Sequence, residues 1–160
     1  MGVENNVNIG GVNFRKDDVK SSEVISREGE QLNSVFLNDG THIVYPNQDE
    51  SKNPTVAQYE LQNMAGSHKD GGLHYYSTGN YSTDFERISG AEITGTDKKD
   101  TYVLRGCDNT KVDFSQKDGK RDKVIQKDSK YNGEKYESQN NTYVLGEKKD
   151  KVTDIKFITP

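Results

Sequence analysis

The apolar residues of the chain fall in short β-branched and aromatic runs that polar stretches separate. Two such runs, residues 35–37 and 42–45, flank the sequence Asn-Asp-Gly at residues 38–40, and this combination predicts a β-hairpin or a solenoid corner. Pro46 ends the second run because proline has no amide proton to donate to a sheet. The pattern as a whole predicts a mainly all-β fold.

The opening segment differs from the rest of the chain. Residues 1–20 are polar and rich in asparagine, a composition compatible with disorder or with loose attachment. The apolar runs within it, residues 7–9 and 12–14, could pair as short strands around two glycines. Residues 21–160 are expected to form a single elongated β domain.

The elongated shape is expected because few residues are available to form a core. Val, Ile, Leu and Phe together number 32 of 160, which is little apolar volume for a compact globule of this length. A stack of repeats needs only a narrow apolar stripe in each turn, because neighbouring turns cover each other.

One short helix is also expected in the N-terminal part. Within residues 55–65, four apolar residues lie loosely at helical spacing: Val56, Tyr59, Leu61 and Met64. Ala65-Gly66 would end the helix.

The C-terminal region is repetitive. The sequence Thr-Tyr-Val-Leu at residues 101–104 recurs at residues 142–145. An acid or amide precedes each copy and also precedes two related Lys-Val units; these four residues are Asp100, Asn141, Asp122 and Asp150. Two nine-residue series contain the same residue types: Asp100, Asn109, Asp118 and Asn132, Asn141, Asp150. Because Asp and Asn stabilise turns, the pattern predicts a parallel β-solenoid or β-roll, with repeats strongest in residues 94–155.

Residues 95–104 and 141–152 resemble degenerate repeats of the haemolysin-type (RTX) family. In that family a nonapeptide of the form G-G-x-G-x-D-x-U-x forms a parallel β-roll with calcium in the turns. The resemblance covers roughly residues 94–155 and implies an exported bacterial protein. The calcium ligands it implies are Asp97, Asp100, Asp118, Asp122 and Asp150.

The turns depart from the family pattern. Most of the turn glycines are missing, and basic pairs stand near the aspartates at residues 98–99, 120–121 and 148–149. A lysine ammonium competes with calcium for carboxylates and can also neutralise them in its place. The sequence leaves open whether these turns bind calcium or are stable without a cofactor.

Charge and hydropathy exclude some partners. The chain has 26 Asp and Glu against 22 Lys and Arg, a net charge of −4, whereas nucleic-acid-binding proteins usually carry a basic excess. No apolar run reaches membrane-spanning length. No cleavable signal peptide is recognisable, so export would use a route without one.

Candidates for catalysis are few. Cys107 is the one cysteine, and it is either a small buried residue or a nucleophile that would need His42, His68 or His74 as its base. His68 and His74 could instead pair on a metal, although their spacing matches no zinc signature. Solvated loop histidines are the simpler interpretation.

An aromatic cluster is the candidate binding surface. Tyr75, Tyr76, Tyr81 and Phe85 lie in a segment rich in glycine and serine, and such residues suit recognition of a protein or a glycan. The alternative is that they are half-buried strand residues.

We therefore expect a non-enzymatic β-solenoid module of an exported bacterial protein, which acts as a scaffold or binds an unknown protein or glycan. One alternative is a calcium-stabilised, RTX-like β-roll. Another is a small enzyme, either a cysteine-type effector or a carbohydrate-active β-helix. The sequence leaves the oligomeric state open.

Overall fold

The computed structural model describes residues 5–60, 81–114 and 122–155. Within these ranges the chain forms two single-turn 3₁₀ helices, Lys16–Asp18 and Glu50–Lys52, and fifteen short strands. The first six strands are β1 (Asn6–Ile9), β2 (Val12–Arg15), β3 (Val19–Arg27), β4 (Glu30–Leu37), β5 (His42–Tyr45) and β6 (Thr55–Glu60). The other nine are β7 (Tyr81–Glu86), β8 (Glu92–Thr94), β9 (Thr101–Arg105), β10 (Lys111–Phe114), β11 (Lys123–Lys127), β12 (Ser129–Tyr131), β13 (Glu134–Tyr136), β14 (Thr142–Leu145) and β15 (Lys151–Ile155).

The strands form two large mixed sheets and a separate hairpin. The seven-stranded sheet has the order β1-β2-β6-β7-β9-β11-β15, and the six-stranded sheet has the order β14-β10-β8-β5-β4-β3. Strands β12 and β13 form the hairpin, with Ser129 opposite Tyr136. The prediction of a mainly β fold is confirmed.

Strand direction divides the chain into two parts. Neighbours among β3, β4, β5 and β8 are antiparallel. The later strands form parallel ladders, β7-β9-β11-β15 in one sheet and β8-β10-β14 in the other. We call these seven strands the parallel stack. Successive strands of the stack alternate between the two sheets throughout, and the β12–β13 hairpin is inserted between β11 and β14.

The two copies of Thr-Tyr-Val-Leu lie in different sheets. The first copy is in β9 of the seven-stranded sheet, and the second is β14 of the six-stranded sheet. The strand that pairs with β14 is β10, so Tyr143 lies opposite Val112 and not opposite Tyr102. The recurrence therefore reflects a strand pattern that suits either sheet.

Aromatic side chains fill the space between the sheets. Tyr102 packs against Phe85 in an edge-to-face contact and is stacked on Phe114, both with ring centroids 5.4 Å apart. All three side chains are fully buried. The hydroxyl of Tyr102 lies 2.8 Å from the hydroxyl of Thr41, so the parallel stack is bonded to the turn between β4 and β5.

That turn belongs to the hairpin predicted at residues 35–45. Strands β4 and β5 are antiparallel, with Val35 opposite Ile43. The Asp39 side chain accepts from the backbone N–H of Thr41 at 2.9 Å, and Gly40 has a φ of 98°, a conformation that glycine adopts without strain. The predicted hairpin is confirmed.

The opening segment also carries strands. Strands β1 and β2 are antiparallel, and Val12 and Phe14 of β2 are buried in the core. The turn between them is closely packed, because a Cβ atom on Gly10 would lie 2.1 Å from the Asn33 side chain. Residues 6–15 are therefore packed against the rest of the protein.

The helix predicted at residues 55–65 is wrong for its described part. Residues 55–60 form β6, which is parallel to β2 and antiparallel to β7. Val56 lies opposite Phe14 on one side and Phe85 on the other, so partners distant in sequence override the weak helical spacing. Residues 61–65 lie outside the described part of the chain.

The buried hydroxyl pair generates a test of this packing. Tyr102→Phe and Thr41→Val should each lower the free energy of unfolding by about 1–3 kcal/mol, because each leaves a buried polar group without its partner. The double variant should lose less than the sum, since it removes both groups. Urea unfolding would measure this coupling, with Tyr59→Phe as the exposed control. Strict additivity would contradict the bond between the two hydroxyls.

Candidate functional site

Three aspartates join neighbouring strands of the seven-stranded sheet at one corner. Asp100, Asp122 and Asp150 stand immediately before β9, β11 and β15. The backbone N–H of Asp100 donates to Oδ1 of Asp122 at 2.8 Å, and the backbone N–H of Asp122 donates to Oδ1 of Asp150 at 3.0 Å. All three residues are buried. We call them the aspartate row.

The side chains of the row also close the turns that precede the strands. Asp100 Oδ2 accepts from the backbone N–H of Thr96 at 2.8 Å, and Asp100 Oδ1 accepts from the Thr96 hydroxyl at 2.8 Å. Asp150 Oδ2 accepts from the backbone N–H of Glu147 at 3.0 Å. Burial raises the pKa of Asp100 to about 7, the Thr96 bonds oppose the rise, and the charge of Asp122 adds to it.

The structure brings together three of the five predicted calcium ligands. These three form the aspartate row, whereas Asp97 is exposed and Asp118 lies outside the described residues. Within residues 5–60, 81–114 and 122–155, no group of three or more His, Cys, Asp or Glu side chains is placed to hold a metal ion. In the row, the hydrogen bonds above place amide protons against the carboxylate oxygens.

Cys107 lies in the core. It is fully buried, and its thiol donates to the carbonyl of Phe85 at 3.1 Å. Burial raises the pKa of Cys107 to about 12, which disfavours the nucleophilic thiolate. His42 is stacked on Phe36 at 4.0 Å, and its Nε2 lies 2.7 Å from the Ser34 hydroxyl. His68 and His74 lie outside the described residues.

The predicted aromatic surface needs one correction. Phe85 is 1% exposed and packs against Tyr102, so it is a core residue and not part of a binding surface. It points inward because it lies opposite Val56 on β6 and Leu104 on β9, which are also buried. Tyr81 begins β7, and Tyr75 and Tyr76 lie outside the described residues.

A cleft of about 450 Å³ opens at another corner of the parallel stack. One wall is the loop 46–54, which joins β5 to β6, and the other is formed by residues 135–139 at the end of the β12–β13 hairpin. The floor consists of residues 87–90 after β7, with Gly106 and Asp108 after β9. Its volume lies within the range typical of small-molecule sites.

The hairpin wall has a sequence signal that the repeat pattern obscured. Asn132 and Gly133 have φ values of 51° and 80° and form the two-residue turn between β12 and β13. An Asn-Gly pair between two strand segments is a strong hairpin signal. The spacing of Asp and Asn instead places Asn132 in a nine-residue series.

Arg87 connects the two walls. Its Nε donates to the carbonyl of Lys52 at 2.8 Å on the loop wall, and its Nη1 donates to the Ser129 hydroxyl at 2.7 Å at the base of the hairpin. The guanidinium carbon lies 4.5 Å from the centre of the Tyr131 ring, a cation–π distance. The Glu86 carboxylate neutralises the charge of Arg87, because its Oε1 lies 2.9 Å from Arg87 Nη2.

The backbone at Arg87 explains how this side chain reaches both walls. Its φ is 57°, an uncommon conformation for a residue other than glycine. Gly106 occupies the equivalent position after β9, the neighbouring strand in the sheet, and has a φ of 63°. A Cβ atom on Gly106 would lie 2.8 Å from Tyr136 Cβ and 3.0 Å from Ser129 Cβ, so the hairpin rests directly on this glycine.

No family model, curated protein or solved structure matches the chain. In the described part of the chain, no helix has the length and apolar character needed to cross a membrane. The geometry of the cleft and of the aspartate row is therefore the basis for assigning a function.

Stability should depend on the protonation of Asp100. Its pKa is raised on folding, so the native state binds the proton more tightly and its stability should fall as pH rises from about 4 to about 7. Asp100→Asn should remove on the order of 1–4 kcal/mol of this pH dependence. Chemical unfolding at pH 5 and pH 8 would measure it, with Asp97→Asn as control. Equal pH dependence in the Asp100→Asn variant and the native protein would rule out the effect.

Calcium should not change the melting temperature. Four of the six carboxylate oxygens of the row already accept backbone amide hydrogen bonds, which a bound ion would have to displace. A ligand that binds the native state raises the melting temperature by mass action. Thermal melts in EDTA and in millimolar calcium should therefore coincide, whereas a clear rise in calcium would assign the aspartates to a metal site.

Proposed function

We propose that the chain is a non-enzymatic β-solenoid module of an exported bacterial protein, and that it binds a partner in the cleft beside Arg87. The insertion of a hairpin into a regular stack, at the place where the cleft opens, is the observation that carries this proposal. In repeat proteins, insertions into single repeats often form the binding face.

The solenoid assignment is supported by the way corners repeat. Ser89, Asp108 and Gln139 are bridged to one another in parallel at the corner between the sheets. The residue after each of them, which is Gly90, Asn109 or Asn140, has a left-handed backbone. These residue types tolerate that conformation best, so successive corners can stack in the same shape.

The insertion is supported by the length of the turns. Glu92 and Lys111, which pair in β8 and β10, are 19 residues apart, whereas Lys111 and Thr142, which pair in β10 and β14, are 31 apart. The additional residues include the β12–β13 hairpin. Part of this extra length therefore forms the hairpin wall of the cleft.

The non-enzymatic part of the proposal is supported by the state of Cys107. Its burial and raised pKa oppose the cysteine-type alternative. The exported, bacterial origin rests on the RTX-like resemblance of residues 94–155.

Binding in the cleft can be tested with Gly106→Ala. The added methyl group should displace the hairpin and weaken binding by about tenfold or more, because the wall no longer fits. The assay is retention of the protein on a glycan array and on immobilised collagen, fibronectin and laminin. The native protein should bind at least one member of these panels.

Gly29→Ala is the matched control. Gly29 also has a positive φ, 81°, but nothing lies within 4 Å of a Cβ at that position in the β3–β4 turn. The Gly29→Ala variant should bind like the native protein, and circular dichroism should show that both glycine variants are folded. The proposal fails if the native protein binds neither panel, or if Gly106→Ala binds as well as Gly29→Ala.

A further inference from the structure

We propose that the ligand of the cleft is an uncharged oligosaccharide. This inference rests on the proposed function, because it names the class of partner that the same cleft would bind. Four features support it: the balance of charge, the fixed polar groups of the floor, the apolar rings of the walls and the rigidity of the whole arrangement.

The charges around the cleft are balanced. Its lining contains three acidic and three basic side chains: Asp49, Asp108, Glu137, Lys52, Lys135 and Arg87. Several are paired locally, since Lys135 Nζ lies 3.4 Å from Glu137 Oε1 and Arg87 is bonded to Glu86. A cleft that selects a charged ligand would show an excess of the opposite sign. The balance favours a polar ligand without net charge.

Asp108 supplies fixed acceptors on the floor. Its Oδ1 accepts from the Asn140 side chain at 3.0 Å, and its Oδ2 accepts from the Asn109 side chain at 3.4 Å. A carboxylate has about four acceptor sites, so these two bonds hold the group in place without exhausting its capacity. Neighbouring hydroxyl groups on a sugar ring are donors of the kind that such a carboxylate accepts.

Apolar rings line the walls. Pro46 and Pro54 lie on the loop side, and Tyr136 lies on the hairpin side. The Tyr136 hydroxyl donates to Glu134 at 2.7 Å, which holds the ring in one orientation. A sugar ring presents apolar C–H faces as well as hydroxyls, so rigid rings beside polar groups complement it.

The cleft is rigid before the ligand arrives. Arg87 bonds both walls, and Gln48 Nε2 donates to the carbonyl of Ser89 at 2.8 Å while its Oε1 accepts from the Ser89 N–H at 3.0 Å. The loop wall is therefore fixed to the floor at two points. Such preorganisation lowers the entropic cost of binding a flexible chain of sugars.

Isothermal titration with hexasaccharides of different charge would test the inference. The uncharged probes are cellohexaose, laminarihexaose and fully N-acetylated chitohexaose; the charged ones are hexagalacturonate and the chitosan hexamer. At least one uncharged probe should bind, and the charged probes should bind about tenfold more weakly or not at all. Added salt should leave the affinity unchanged, since screening acts only on charges.

Two substitutions locate the site. Tyr136→Leu should weaken binding of the uncharged probe about tenfold, whereas Tyr59→Leu, at an exposed tyrosine that does not line the cleft, should bind like the native protein. Thermal melts would establish that both variants fold. An undiminished affinity of Tyr136→Leu would overturn the inference.

The two proposals fail in different ways. If the cleft prefers a charged hexasaccharide, or if only the immobilised proteins bind and Gly106→Ala abolishes that binding, the choice of an uncharged glycan is wrong and the binding module stands. If no probe or protein binds in a way that depends on Gly106, both proposals fall.

Discussion

The structure depends on hydrogen bonds between the polar residues that precede neighbouring parallel strands. In the aspartate row, the backbone amide of one aspartate donates to the carboxylate of the next. Asn141 does the same for Thr110 at the opposite sheet, where its Oδ1 accepts the backbone N–H at 2.9 Å. These bonds fix the register of the strands that follow. A slip by one residue would exchange the inner and outer faces of a strand. These hydrogen bonds therefore keep the apolar side chains in the narrow core.

The cleft depends on a large residue and a small residue at equivalent positions after two neighbouring strands. Arg87 and Gly106 have the same left-handed backbone and follow the neighbouring strands β7 and β9. The arginine side chain fills the space between loop and hairpin, and the glycine leaves room for the hairpin to lie on the backbone. The burial of a guanidinium is tolerated here because acceptors and an anion surround it. Exchanging the two residues would remove both the link and the space.

The features that could be predicted from the sequence are those with local signals. The hairpin around Asn38-Asp39-Gly40 is predicted because turn residues and strand residues are adjacent. Strand β6 was not predicted, because its partners Phe14 and Phe85 are distant in sequence. The cleft was not predicted for the same reason, since it joins segments far apart in the chain.

The corner that carries the hairpin has a further consequence. Thr142 still donates to the carbonyl of Thr110 at 2.9 Å, although the intervening segment is much longer than in the turn before. The scaffold therefore tolerates a change of length at this point. In evolutionary terms the hairpin lies where a segment of different length or sequence could replace it, while the framework beneath it remains the same.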